Sequence, residues 1–145
     1  MKLIDLLGLS LKSDAVIDII NDYDVENVVY DFDRSHENMP DAYWAPAHAA
    51  GFQLRFDETQ ILDTIFCYIA AKEGFSPVAP DLIGVPIHRS FDAAEAACKA
   101  SGQAYSVADP AKYSKWWLRI DGAEHNVHYQ FDDGRLALIT LMKPR

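Results

Sequence analysis

Apolar and polar residues alternate along two stretches of the chain in the manner of half-buried strands. Phe52, Leu54 and Phe56 alternate with Gln53 and Arg55, and Val127, Tyr129 and Phe131 alternate with His128 and Gln130. A period of two places each set on one face of a strand. Asp57-Glu58-Thr59-Gln60 and Asp132-Asp133-Gly134 then read as turns, with apolar runs returning over Ile61 to Ala70 and Leu136 to Met142. Each stretch therefore predicts an antiparallel hairpin. Trp116 to Ile120 is a further strand, closed by the turn pair Asp121-Gly122. On that strand one of Trp116 and Trp117 must point to each face.

Helical spacing occurs twice as well. Leu11, Ala15, Val16, Ile19, Ile20 and Tyr23 form one apolar stripe, with Ser13 placed as its N-cap. Phe91, Ala94, Ala97, Cys98 and Ser101 form the buried side of a second helix, capped by Ser90 and ended by Gly102. Glu95 and Lys99 make a favourable pair on its outside.

The elements come in the same order in two halves. Gly8 matches Gly84 at an offset of 76, Phe56-Asp57 matches Phe131-Asp132 at 75, and Ile65 matches Ile139 at 74. A near-constant offset is the mark of an internal repeat, here a helix followed by a hairpin. The expected fold is α+β in a single domain over residues 1–145. Unit one covers about 1–75 and unit two about 76–145. One antiparallel sheet of six to eight strands carries the helices on one face. Gly74 to Pro86, with three prolines, joins the units and is too short and apolar for a flexible linker. Glu26 to Ala50 is the least regular stretch, with Val28 to Phe32 as a short strand and a long loop beyond it.

Charge singles out the first unit. Residues 1–75 hold 14 acidic and 5 basic side chains, a net of −9, while residues 76–145 hold 8 of each. Most of the excess lies between Asp14 and Asp41, against the single base Arg34. Such a face repels nucleic acid and anionic membranes and attracts a basic protein. Asp14, Asp18 and Asp22 stack four apart on one helix face with no cation between them. That is either an ordinary solvated face or part of an interface. Cys67 and Cys98 lie in apolar settings and read as buried free thiols. The N-terminus makes a poor signal peptide, and no stretch approaches the roughly 20 apolar residues of a membrane span, which points to the cytosol.

Chemistry is sought without yield. The chain has no glycine-rich phosphate loop, no Cys-x-x-Cys and no nucleophile elbow. His125-x-x-His128 has the look of a metal pair, but that spacing on a strand sends the rings to opposite faces. His36, His48 and His88 stand apart from any nucleophile in sequence. No metal or cofactor is expected.

GFQLRFDETQILDTIFCYIAAKEGFSPV, a connector with Gly and Pro, a Ser-led helix, then KWWLRID and NVHYQFDDGRLALITLM form a recognisable pattern. It resembles small bacterial proteins encoded beside polymorphic toxins, immunity proteins similar in architecture to the tandem repeats of β-lactamase-inhibitor-like proteins. The resemblance spans Gly51 to Met142, rests on apolar framework residues and carries over no catalytic residue. It implies a non-enzymatic, cytoplasmic immunity protein that neutralises a cognate toxin by binding, with no cofactor. An acidic face would suit a basic toxin with a cationic active site, such as a nuclease. The expected partner surface comprises Asp14, Asp18, Asp22, Asp24, Glu26, Asp31, Asp33, Glu37, Asp41, Tyr43 and Trp44. The alternatives are a small enzyme or ligand-binding module with residues 26–50 as a lid, and an adaptor for another cytosolic partner. Trp44 is left with two readings, an interface anchor or a core residue on a strand aligned with Trp116 to Ile120.

Overall fold

The computed structural model describes residues 1–25, 27–31, 41–112 and 115–144. A short 3-10 helix, Leu3–Leu6, precedes α1 (Asp14–Asp22), β1 (Val29–Asp31), β2 (Ala42–Ala47), β3 (Phe52–Phe56) and β4 (Leu62–Tyr68). Then come α2 (Pro80–Ile83), α3 (Phe91–Ser101), β5 (Ser106–Val107), β6 (Trp117–Asp121), β7 (Asn126–Asp132) and β8 (Arg135–Met142). The strands make one eight-stranded sheet in the order β1-β2-β3-β4-β8-β7-β6-β5, and every neighbouring pair is antiparallel. Both hairpins predicted from alternation are present, as β3–β4 and β7–β8.

Register sorts the strand residues into two faces. Ala45, Leu54, Ile65, Leu141 and Val127 lie side by side across the sheet, as do Ala47, Phe52, Cys67, Ile139 and Tyr129. These positions make up the first face, and all ten are buried. Val16 and Ile19 of α1 and Phe91, Ala94 and Cys98 of α3 join them in one core. Tyr23 meets Phe52 edge-on at 5.4 Å, and Phe91 meets Phe131 in the same way at 5.7 Å. Burying these side chains is the main stabilising term, since each large apolar group removed from water contributes about 1.5–3 kcal/mol. Cys67 and Cys98 are both free thiols within this core.

Local chemistry ends the elements where the alternation stops. The Asp57 carboxylate accepts from the Thr59 N–H at 2.8 Å, the Thr59 hydroxyl at 2.6 Å and the Ile61 N–H at 3.1 Å, which closes the first hairpin. Burial pushes this carboxyl up, but the hydrogen bonds outweigh burial and hold it below its ordinary range. Ser90 caps α3 by accepting from Ala93 N–H at 3.1 Å, and Gly102 ends it in the left-handed conformation. Gly51 (φ +82°), between β2 and β3, packs against the backbone of Ser76 to Val78, where a Cβ would lie 2.2 Å from the Ser76 carbonyl oxygen.

Several expectations are corrected. The short strand expected over Val28 to Phe32 is present as β1, but the long loop expected beyond it gives way to β2 over Ala42–Ala47. Ser13 stands at the N-cap of α1, but its hydroxyl donates backward to the Ser10 carbonyl and makes no cap bond. Ser101 is exposed rather than buried, with its hydroxyl donating to the Ala97 carbonyl at 3.0 Å. Trp44 is in a strand, but its neighbours are Arg55 and Val29, and β2 lies far across the sheet from β6.

Candidate functional site

Neighbouring residues of the expected partner surface go to different places. Asp14, Asp18 and Asp22 are exposed along α1, and Asp24 is exposed just beyond it. Asp31 is exposed at the end of β1. Asp41, half-buried, accepts a hydrogen bond from the Tyr30 hydroxyl, which pushes that phenol up to about 12. Glu26, Asp33 and Glu37 lie outside the described residues. Tyr43 is in the row of Phe56 and stacks on Tyr30 at 4.8 Å. Trp44, the next residue, points to the other side of β2. Tyr23, just after α1, meets Phe52 of the first face, whereas Trp44 lies on the second.

The second face is built from the alternate positions: Trp44 and Arg55, then Phe66 and Thr140, then His128 and Trp117. Trp44 and Phe66 stack with centroids 6.0 Å apart, and the Arg55 guanidinium lies 5.8 Å from the Trp44 ring while pairing with Asp63 at 2.6 Å. At the other end Trp117 and His128 are 5.4 Å apart. Burial, followed by the charge of Arg119, holds the His128 imidazole below its ordinary range. Arg119 is itself tied to Asp121 at 2.7 Å. Trp44, Phe66, Trp117, Leu138 and Met142 are each only half-buried. A row of half-exposed aromatic and aliphatic groups with fixed cations among them is the composition of a protein-binding surface.

Hollows among the described residues flank this frame. A cleft of about 580 Å³ beside α1 is lined by Asp22, Tyr23, Asp24, Lys2 and Asp81, with the Lys2 ammonium donating to the Asp81 carbonyl. A second, of about 500 Å³, opens on the second face where β4 meets β8. A third, of about 400 Å³, lies between α3 and β6–β7, walled by Val85, Ile120, Val127 and Tyr129 with His88 and His125 at its polar points. The Tyr129 hydroxyl donates to the Pro86 carbonyl at 2.9 Å, and burial pushes the phenol up to about 12. Among the described residues no three His, Cys, Asp or Glu converge as metal ligands, and no helix is long and apolar enough to cross a membrane. No protein-family model, curated protein or solved structure matches the chain.

Phe66, Leu138, Trp117, His128 and Arg55 were missed as interface candidates. A signal for them existed. β4 from Ile65 to Tyr68 (IFCY) and β8 from Leu136 to Met142 (LALITLM) are apolar almost continuously instead of alternating. Strands of that kind carry apolar groups on both faces. One face is filled by the core, so the other must be covered by something or left bare.

Proposed function

We propose that this chain is a cytosolic immunity protein that neutralises a cognate bacterial toxin by binding it and covering a cationic active site. The observation that carries the reading is the second face of the sheet, whose half-exposed Trp44, Phe66, Trp117, Leu138 and Met142 form a rigid amphipathic surface. Inhibition of this kind requires a complementary surface and no chemistry of its own. The aromatic face supplies contact area, and the exposed acids of α1 draw a basic partner in from a distance.

The architecture is read as two tandem units with both helices on the first face. Each unit runs from a short helix through a left-handed glycine, Gly8 or Gly84, to α1 or α3 and then four strands. The hairpin register shifts after Arg55 in one and after Gln130 in the other, at equivalent places. At the seam, Ile65 pairs with Leu141, Phe66 with Thr140 and Cys67 with Ile139. Exchanging the units at the offset of 74 seen for Ile65 and Ile139 converts the first pair into the third and leaves the middle pair unchanged. A two-fold relation between units is thus consistent with the pairing. Tyr23 against Phe52 and Phe91 against Phe131 support helices on the same side.

Co-expression with the product of the neighbouring gene tests the function. Survival of the host and co-purification of the two proteins are expected together. A folded chain that neither rescues the host nor co-purifies would overturn the reading. The cavity between α3 and β6–β7 favours a second reading, a small-ligand module, because its walls are apolar with a few polar points. That reading requires a small aromatic compound to raise the melting temperature saturably, and a Val127→Trp change filling the cavity to abolish the rise.

A further inference from the structure

The cleft on the second face has a more specific chemistry than the surface around it. Phe66 and Tyr68 of β4 and Trp116, just before β6, give it three aromatic walls, Gln130 of β7 lies between them, and Glu73 and Asp132 bring carboxylates to its edge. Its volume of about 500 Å³ lies within the range of roughly 300–1,000 Å³ that holds small groups. Lys72 also lines the cleft, and Arg135, the register partner of Asp132, lies outside the lining. Lys115, next to Trp116, is engaged elsewhere by Asp92 at 3.2 Å.

The roof of the cleft is held in place. Lys72 and Phe75 exchange backbone hydrogen bonds of 3.1 and 2.8 Å across the two-residue turn Glu73-Gly74. Both central residues are left-handed, at φ +53° and +88°, as a type I′ turn requires. Phe75 is buried, stacked on Tyr68 with centroids 4.3 Å apart and the planes 11° apart, and it also faces His48 at 4.3 Å. Glu73 is therefore presented by a fixed turn at the edge of the cleft that Tyr68 lines. Its charge adds to burial in pushing the Tyr68 phenol up. A site whose walls are already ordered loses little on binding.

Aromatic faces with carboxylates at the edge select a cation, and a flat one best. A guanidinium stacks on rings and forks onto a carboxylate, whereas an ammonium is a compact, strongly hydrated point charge. We infer that this cleft receives an arginine side chain projected by the protein partner, its guanidinium lying against Phe66, Tyr68 and Trp116 and paired with Glu73 or Asp132. The inference rests on the proposed partner-binding role and names the group recognised there. It also fits a chain with a net charge of −9, to which a basic partner is drawn.

The probe is the capped tripeptide acetyl-Gly-Arg-Gly-amide, titrated into the whole protein at low salt and followed by amide and indole NMR shifts. Its citrulline counterpart has the same shape without the charge. Saturable shifts at the Trp116 indole and the Gln130 amide are expected with arginine, and binding about tenfold weaker with citrulline. Glu73→Gln with Asp132→Asn, at two exposed positions, should remove the difference while the melting temperature holds. Equal binding of both peptides, shifts centred on α1, or no shifts at the cleft would each overturn the assignment. The neighbouring-gene protein separates the two proposals. If it binds the double variant as tightly as the parent, the arginine site fails and the immunity role stands. If the peptide occupies the cleft while no toxin is neutralised, the immunity role fails and the site stands.

Discussion

Trp44 has one ring face against Phe66 and the Arg55 guanidinium near it, yet stays half-exposed. An aromatic pair contributes about 0.5–1.5 kcal/mol beyond its area and an exposed cation–π contact about 0.5–1 kcal/mol. Trp44→Ala should therefore cost about 1–2 kcal/mol of stability, well short of the roughly 3–5 kcal/mol lost when a core aromatic such as Phe52 is truncated. If Trp44 is an anchor of the toxin interface, the same change costs at least about 2 kcal/mol of affinity, roughly thirtyfold. Urea denaturation and calorimetric titration of the variant measure the two separately. His128, also on the second face, makes a pH prediction. Its folded-state pKa lies below the ordinary value of about 6.5, so the unfolded chain binds the proton more readily. The stability from keeping it neutral is complete above that value and is lost as pH falls from there through the folded-state pKa. The urea midpoint should fall between about pH 7.5 and 5.5, and His128→Gln should flatten that slope relative to the parent. An identical slope in the variant would assign the effect to other groups.

At the scale of the element, α1 and α3 differ in how much of their stability is their own. α3 has a bonded cap at Ser90, the Glu95–Lys99 pair at 3.7 Å, Lys99 in its last turn and a left-handed Gly102. α1 has no side-chain cap bond, no base in its last turn and three aspartates four apart on its exposed side. It is held by Val16, Ile19 and Tyr23 against the core. Replacing its middle acid, Asp18→Lys, turns two repulsive pairs into two attractive ones. A gain of about 1 kcal/mol is expected at low salt, and it should shrink as salt is added. Equilibrium unfolding at low and high ionic strength checks both parts, and a salt-independent gain would point to a cause other than charge.

At the scale of the whole molecule, the proposed sources of long-range attraction and of short-range contact fall on different regions. The exposed acids lie along α1, just before the Tyr23 that meets the first face, and the aromatic groups lie on the second face. Charge placed away from the contact acts on encounter more than on residence. Association with a basic partner should slow markedly from about 50 to 500 mM salt, and dissociation should change little. Reversing Asp14, Asp18 and Asp22 together should mimic the salt effect, whereas Trp44→Ala should speed dissociation. Stopped-flow mixing resolves these rates, and faster dissociation of the triple reversal would instead place α1 inside the interface.

The sequence alone determined the two hairpins, the limits of α3, the burial of both cysteines and the concentration of acid in the first half. Each depends on residues close together in the chain: a period of two, a turn pair, a cap, a glycine. It misplaced Trp116, which precedes β6 instead of beginning it, so that Trp116 and Trp117 do not divide between the two faces: Trp116 lines the second-face cleft and Trp117 stands beside His128. Only the tertiary structure decided that Tyr43 and Trp44 part company, that Tyr23 meets the first face while Trp44 lies on the second, and that Phe66, Tyr68, Trp116 and Gln130 line one cleft. Those facts depend on strand order, which brings β4 beside β8 across a long stretch of chain. They depend also on which face the core fills. In β4 and β8 both faces are apolar, so alternation offers no contrast from which the covered face can be read.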